Sequence, residues 1–280
     1  MAQSKSEIVE LLSRRGLRPR HRFGQNFMID RNLVRIVADE ARIVAGELVI
    51  EIGPGTGTLT EELLARGARV LAVEIDRDLA GLLRERFASH GSFALIEGDA
   101  LAGKHELNRQ LAEEIRLARG RNQAVKLAAN LPYNIASPLI IELLLAGVAL
   151  LVFSVQKEVA QRLRAAPGTK DYGVLSIMVQ LLSDVEILRT LPPQAFWPAP
   201  EIESALVRMT PGNQLGDQAG EFGRFVQALF SSRRKTIRKA LTQMGMDARS
   251  ALDRVKVDPR GRPEDLAPSK LLELFKALPR

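Results

Sequence analysis

Short apolar runs alternate with amphipathic stretches through the first two thirds of the chain. Leu48-Val49-Ile50-Glu51-Ile52 reads as a strand that ends at glycines, and Thr58 to Arg66 as a helix stopped by Gly67. Val70 to Val73 is a second strand, Asp78 to Phe87 a helix, and Phe93 to Ile96 a third strand. Glu106 to Arg119 reads as a charged helix. The apolar run Ala124 to Ala129 predicts a fourth strand and Ala149 to Phe153 a fifth, with helices over Pro138 to Leu145 and Lys157 to Arg164. Such alternation implies βαβ units and a mostly parallel sheet covered on both faces.

A helix over Tyr172 to Leu182 then gives way to strands at Val185 to Leu188 and Ala205 to Met209. Between these lies a rigid, extended loop, Pro192 to Pro200. Pro211 to Asp217 is polar and glycine-bearing and reads as a linker. The remainder is helical, over Phe222 to Phe230, Lys235 to Met244 and Lys270 to Leu278. The expected division is a domain at 1–211 with a basic lead over 1–22, a linker at 212–220 and a helical domain at 221–280.

Composition narrows the function classes. The 280 residues include no cysteine, which excludes disulfides and thiolate chemistry, and only three histidines, so no metal centre is expected. The charge-free stretch Leu143 to Gln156 is too short to span a bilayer, which takes about 20 apolar residues. No membrane association is therefore expected, and a cytoplasmic monomer is. The net charge of +7 is unevenly placed. Residues 1–22 hold six Lys/Arg and two Asp/Glu, 23–220 hold 20 and 24, and 221–280 hold 14 and 7. Basic ends around a near-neutral middle suit a polyanion such as RNA.

Candidate chemistry sits at strand ends. Gly53-Pro54-Gly55-Thr56-Gly57-Thr58 joins the first strand to its helix. Gly53 and Gly55 let backbone approach a nucleotide-type ligand closely. A dinucleotide fingerprint would put its third glycine at Thr58 instead, so nicotinamide chemistry is disfavoured. Glu74, 17 residues after Gly57, can accept two hydrogen bonds from a ribose diol. Asp99 follows the third strand and can accept from an adenine amine. Glu51 reads as a support for the glycine loop. Asp30 is placed to cap a helix starting at Arg31. Gln25 and Asn26, between Phe23 and Phe27, read either as a lead-in loop or as packed over a ligand.

The most informative segment is Asn130-Leu131-Pro132-Tyr133, at the end of the fourth strand. The Asn130 oxygen and the Leu131 carbonyl before Pro132 can accept from an exocyclic amine, and the Tyr133 ring can stack on a flat base.

Together with Phe23 to Phe27, Glu51 to Gly57, Glu74, Asp99, Gln156-Lys157-Glu158-Val159, Tyr172-Gly173 and Phe196 to Ala205, this segment resembles the KsgA family of ribosomal RNA adenine dimethyltransferases. Phe230-Ser231-Ser232-Arg233-Arg234-Lys235-Thr236 is similar to that family's basic helical domain. The resemblance runs from about residue 15 to the C-terminus. It implies a Rossmann-like class I methyltransferase sheet, mostly parallel with the last strand antiparallel, plus a small helical domain. It implies S-adenosyl-L-methionine as cofactor, held by Asn26, Met28, Gly53, Gly55, Glu74, Asp99 and Asn130. It further implies N6,N6-dimethylation of two adjacent adenosines in the 3′-terminal hairpin loop of 16S rRNA within the 30S precursor. Two departures stand out: Met28 where the family commonly has Leu, and a longer stretch between Asp99 and Asn130.

On that reading Tyr133 stacks on one face of the adenine and Phe196 on the other, while Arg233, Arg234, Lys235 and Arg238 contact phosphates. Two rivals share the fold, a 23S rRNA adenine methyltransferase of the antibiotic-resistance type and a non-catalytic RNA-binding assembly factor.

Overall fold

The structure is a computed structural model that describes residues 3–103, 105–212, 214–231 and 235–278. Seven strands form one sheet: β1 (Leu48–Ile52), β2 (Arg69–Glu74), β3 (Phe93–Glu97), β4 (Val125–Asn130), β5 (Leu150–Gln156), β6 (Ser183–Leu191) and β7 (Ser204–Pro211). Their order is β3-β2-β1-β4-β5-β7-β6. The first five strands pair in parallel, and β7 runs antiparallel to β5.

Every residue of β1 is buried, Glu51 included, which is why Leu48, Val49, Ile50 and Ile52 do not alternate with exposed polar positions. One face is covered by α2 (Arg31–Glu40) and α3 (Thr58–Ala65), whose Val34, Val37 and Leu63 meet Val49, Ala128, Val152 and Leu206. The polar exception in β4, Lys126, is satisfied by the Arg42 carbonyl and the Glu47 carboxylate at 2.5 and 2.6 Å. From β1 the chain builds one way to β2 and β3, while β4 adds on the other side of β1. The crevice beyond the carboxyl ends of β1 and β4 is thus the topological switch point, where open sheets of this kind bind ligands.

Several elements differ from expectation. The charged helix, α5 (Arg109–Gly120), starts three residues late, because Glu106–Leu107 pairs with Leu101–Gly103 in a small hairpin. Asn108 then caps α5, accepting from the amides of Gln110 and Leu111. An additional helix, α1 (Lys5–Ser13), begins with a capping box in which Ser4 and Glu7 bond each other's backbone amides. Its Ile8 and Leu12 pack with Phe27 and with Leu79 and Leu82 of α4 (Arg77–Arg86).

The chain divides into two compact units, one of Met1–Ala160 with Glu186–Pro211, the other of Gln161–Val185 with Gly212–Arg280. The expected boundary at 212–220 therefore misses a segment. The helix α8 (Val174–Leu182), following α6 (Ala136–Leu145) and α7 (Lys157–Leu163), buries seven of its nine residues, as a helix apolar on all sides must. It does so against α9 (Ala219–Phe230) and α12 (Pro268–Ala277) of the second unit. The expected linker is also tied down. Gly212 and Gln214 donate to the carbonyls of Leu182 and Leu181, and α9 begins at Ala219. In the second unit Phe222, Phe225 and Phe275 form an aromatic cluster. It also contains α10 (Ile237–Gln243) and the unanticipated α11 (Ala248–Arg254). Among the described residues no helix is long and apolar enough to cross a membrane.

Candidate active site

The switch-point crevice is a cleft of about 950 Å³, open solvent included. Asn26, Met28, Gly53, Gly55, Glu74, Asp99 and Asn130 all line it. All belong to the first unit.

The glycine loop is pressed between two side chains. Gly55 has φ 62°, and a Cβ there would lie 2.8 Å from the Phe27 ring. A Cβ on Gly53, at φ 66°, would meet Pro132 at 3.3 Å. Glycine is thus required by conformation and by space. The two amides nearest Glu74 converge on it: Gly55 N–H donates to Oε2 at 3.1 Å and Asp76 N–H to Oε1 at 2.9 Å. Glu74 is 4% exposed, and burial pushes its carboxyl up to about 7 against the pull of those amides. Each carboxylate oxygen keeps lone-pair capacity for a ribose hydroxyl. Glu51, also buried, accepts from the Thr60 hydroxyl at 2.6 Å, and burial pushes it up to about 8. It lines the cleft, and its bond to Thr60 ties it to the first turn of α3 rather than to the glycine loop itself.

Asp99 is exposed at the far end of the cleft, after β3. Its Oδ1 accepts from the Leu101 amide at 3.0 Å, and Asn108 Nδ2 donates to its carbonyl at 3.0 Å. The short hairpin thus fixes the loop that carries Asp99. The glycine cradle, a ribose-competent acid and an adenine-competent acid, set in order along one cleft, fit S-adenosylmethionine.

At the end of β4, the Asn130 side chain is held from both ends. Its Nδ2 donates to the Asn26 carbonyl at 2.7 Å, and its Oδ1 accepts from the Ser154 hydroxyl at 2.6 Å. Leu131 is buried, and its amide donates to the Ser154 carbonyl at 3.1 Å. Pro132 lines the cleft. Tyr133 is half-buried, and its hydroxyl lies 3.0 Å from Ser204 Oγ; burial raises its pKa.

Phe196 corrects the sequence reading. Met28 and Phe196 are register partners in a two-residue antiparallel ribbon, with Phe27 opposite Trp197. The Phe196 ring is 2% exposed, enclosed with Met28, Leu33, Val34 and Leu206 in the core cluster, and does not line the cleft. It therefore offers no free face to a base. Its partly exposed neighbour Trp197 stacks on Phe27, with centroids 6.2 Å apart.

Three contributors went unread in the sequence. Ser154 is a buried hydroxyl flanked by apolar Leu150 to Phe153 and Val155, and Ser204 sits at the start of β7. Asp76 caps α4 and is bound by Arg20 Nη1 at 2.8 Å and Gln25 Nε2 at 2.9 Å, tying the N-terminal segment to the Glu74 side of the cleft. In the second unit Arg238 is exposed, and Lys235 Nζ donates to Gln243 at 2.8 Å. Arg233 and Arg234 lie outside the described residues.

The family described as ribosomal RNA adenine dimethylase matches residues 16–279. A ribosomal RNA small subunit methyltransferase A from Moorella thermoacetica is 39% identical over 279 residues, covering 96% of each chain. Another, from Magnetococcus marinus, is 40% identical and covers 95% of this chain and 94% of its own. Among solved structures, the 23S rRNA methyltransferase ErmE is similar with a TM-score of 0.63 and 27% identity, covering 90% of this chain and 99% of its own. A dimethyladenosine transferase from Plasmodium falciparum shares the fold, with a TM-score of 0.70 and 23% identity over 88% of this chain and 95% of its own.

Proposed function

This chain belongs to the ribosomal RNA adenine dimethylase family, and from that premise we propose that it dimethylates N6 of two adjacent adenosines in the 3′-terminal hairpin loop of 16S rRNA. It is a methyltransferase of the class I fold that uses S-adenosylmethionine. The substrate in this reading is the 30S precursor, met in the cytoplasm by a monomer, and the reaction belongs to small-subunit biogenesis. The observation that carries the reading is the Asn130 side chain, held from both ends where it lines a cleft that fits the cofactor. Relatives that bear the small-subunit name along nearly their whole length support the choice of RNA.

S-adenosylmethionine supplies an electrophilic methyl on a sulfonium. An adenine amine is a poor nucleophile because its lone pair is delocalised into the ring, so positioning must supply much of the rate. Asn130 Oδ1 has one lone pair engaged by Ser154 and one for an amine N–H, and the Leu131 carbonyl takes the other N–H. Holding both turns the nitrogen toward tetrahedral geometry and aims its lone pair at the methyl. Tyr133 stacks on the base, its ring fixed through the Ser204 contact. The amine's proton leaves to solvent after transfer, so no ionisable base is required. Such a base must be unstacked to enter, which suits a hairpin loop better than a duplex.

The test is transfer of label from S-adenosylmethionine to 30S subunits that lack the modification. Label at two neighbouring adenosines of 16S rRNA is expected. Label in 23S rRNA alone would move the activity to the large subunit, and no label in either RNA would leave a binding factor.

A further inference from the structure

The Asn130 carboxamide is oriented by a chain of two hydrogen bonds whose polarity is forced. The Asn26 carbonyl can only accept, so Nδ2 must face it at 2.7 Å. Oδ1 then faces Ser154, whose hydroxyl must donate at 2.6 Å. Ser154 is opposite Asn130 in the parallel pairing of β4 with β5, and it is fully buried. Its carbonyl also receives the Leu131 amide, so one residue of β5 touches both members of the amine-binding pair. The neighbours of Ser154 in β5 are apolar on both sides, Leu150 to Phe153 and Val155. A lone buried hydroxyl there costs free energy unless it is bonded, and its bond is to Asn130.

We propose that Ser154 is a positioning residue for methyl transfer: it pins the Asn130 oxygen so that its remaining lone pair meets the adenine amine. The inference rests on the reading of Asn130 as the amine acceptor. Ser154 donates to the same oxygen that the amine would use, so it adds no acceptor strength. What it supplies is orientation, since an amide tethered at Nδ2 alone can swing at its oxygen. Its effect should therefore fall on kcat rather than on cofactor binding.

The experiment compares wild type with Ser154→Ala, Ser154→Cys, Asn130→Ala and the Ser154→Ala/Asn130→Ala double variant on unmodified 30S subunits. Ser154→Ala should lower kcat about tenfold, the order expected for one buried hydrogen bond. Its affinity for S-adenosylhomocysteine should stay within about twofold of wild type by calorimetry, a range well below one hydrogen bond. Hydrogen exchange at the Asn130 carboxamide, assigned by its absence in Asn130→Ala, should quicken. Ser154→Cys, close in size and a weaker donor, should fall between wild type and Ser154→Ala. The double variant should be no slower than Asn130→Ala alone, since Ser154 acts only through that side chain. Wild-type kcat in Ser154→Ala beside an inactive Asn130→Ala would overturn the role of Ser154 and leave the functional reading standing. An additive loss in the double variant would overturn it too. Normal turnover in Asn130→Ala would instead overturn the functional reading itself. Should Ser154→Ala lose its fold, wild-type kcat in Ser154→Cys overturns the proposal and an intermediate kcat upholds it.

Discussion

The backbone N–H of Gly55 donates to Oε2 of Glu74 across 3.1 Å, which joins the loop after β1 to the acid at the end of β2 as one binding surface. Gly55 makes it at φ 62°, where a Cβ would run into the Phe27 ring.

Replacing that glycine should damage both halves of the surface. In Gly55→Ala the new Cβ would sit 2.8 Å from Phe27, at a φ where a non-glycine residue costs about 1–2 kcal/mol. The expected outcome is a fall in unfolding free energy of about 1–3 kcal/mol together with loss of S-adenosylhomocysteine binding. Thermal unfolding and calorimetry on the same preparation check it. Unchanged affinity would mean that the loop amide does not serve the cofactor side.

Cofactor affinity should depend on pH through Glu74. Burial is the largest cause of its raised pKa, about 7, and the charge of Asp76 adds to it. A ribose diol needs the ionised carboxylate as acceptor, so the competent form is depleted as pH falls below about 7. Affinity should weaken on going from pH 8 to pH 6, approaching tenfold per unit at the low end. Glu74→Gln should bind more weakly at pH 8, because its amide sets an N–H₂ against the Gly55 or Asp76 donor. It should also lose the pH slope. A flat wild-type profile over that range would refute the assignment.

Stability should carry a separate signature from Glu51. Its folded pKa, pushed up to about 8 by burial, lies above the ordinary value of about 4.3. Between these values the folded protein holds more protons than the unfolded chain, so this group's contribution declines as pH rises through the window. Glu51→Gln keeps an oxygen for the Thr60 hydroxyl and removes the titration. Melting temperatures of wild type and Glu51→Gln should converge near pH 5 and separate by pH 8, with the variant higher. Parallel curves would sink the prediction.

Much of this site was legible because strand ends announce it. The sequence bounds of β1 coincide with the observed Leu48–Ile52, since a doubly covered strand has no exposed face to blur them and Gly53 stops it. Glu74 and Asp99 follow from the same logic. Phe196 did not, because a Pro-rich segment reads as a displayed loop. It is buried in a cluster with Leu33 and Val34, residues remote in sequence. Ser154 is a single polar residue in an apolar run, a pattern that does not say which partner it bonds. The helix α8 is apolar on every side, so its pattern gave burial without saying in which unit.

The aromatic residues should separate by variant. Phe196 is core, so Phe196→Ala should cost about 3–5 kcal/mol of stability. Tyr133→Phe removes only the hydroxyl near Ser204 and should keep most turnover, with a stability loss of about 1 kcal/mol. Tyr133→Ala removes the stacking face and should lose most methyl transfer while still binding S-adenosylhomocysteine. Equal turnover in Tyr133→Phe and Tyr133→Ala would rule out stacking. The measurement is single-turnover label transfer beside a melting curve for each variant.

The basic second unit should act through phosphates. Arg238 is exposed on α10, a helix whose start is fixed by Thr236 Oγ1 accepting from the Lys239 amide at 3.4 Å. Charge reversal there leaves the buried face of α10, Ile237, Ala240 and Leu241, untouched. One phosphate contact lowers the slope of log affinity against log salt by about 0.7–0.9 when it is lost. Arg238→Glu should therefore weaken binding to 30S subunits and flatten its salt dependence by about that amount. Calorimetric affinity for S-adenosylhomocysteine should not move. A parallel salt titration of wild type and variant checks both, and an unchanged slope would place the RNA contact on a different surface of the second unit.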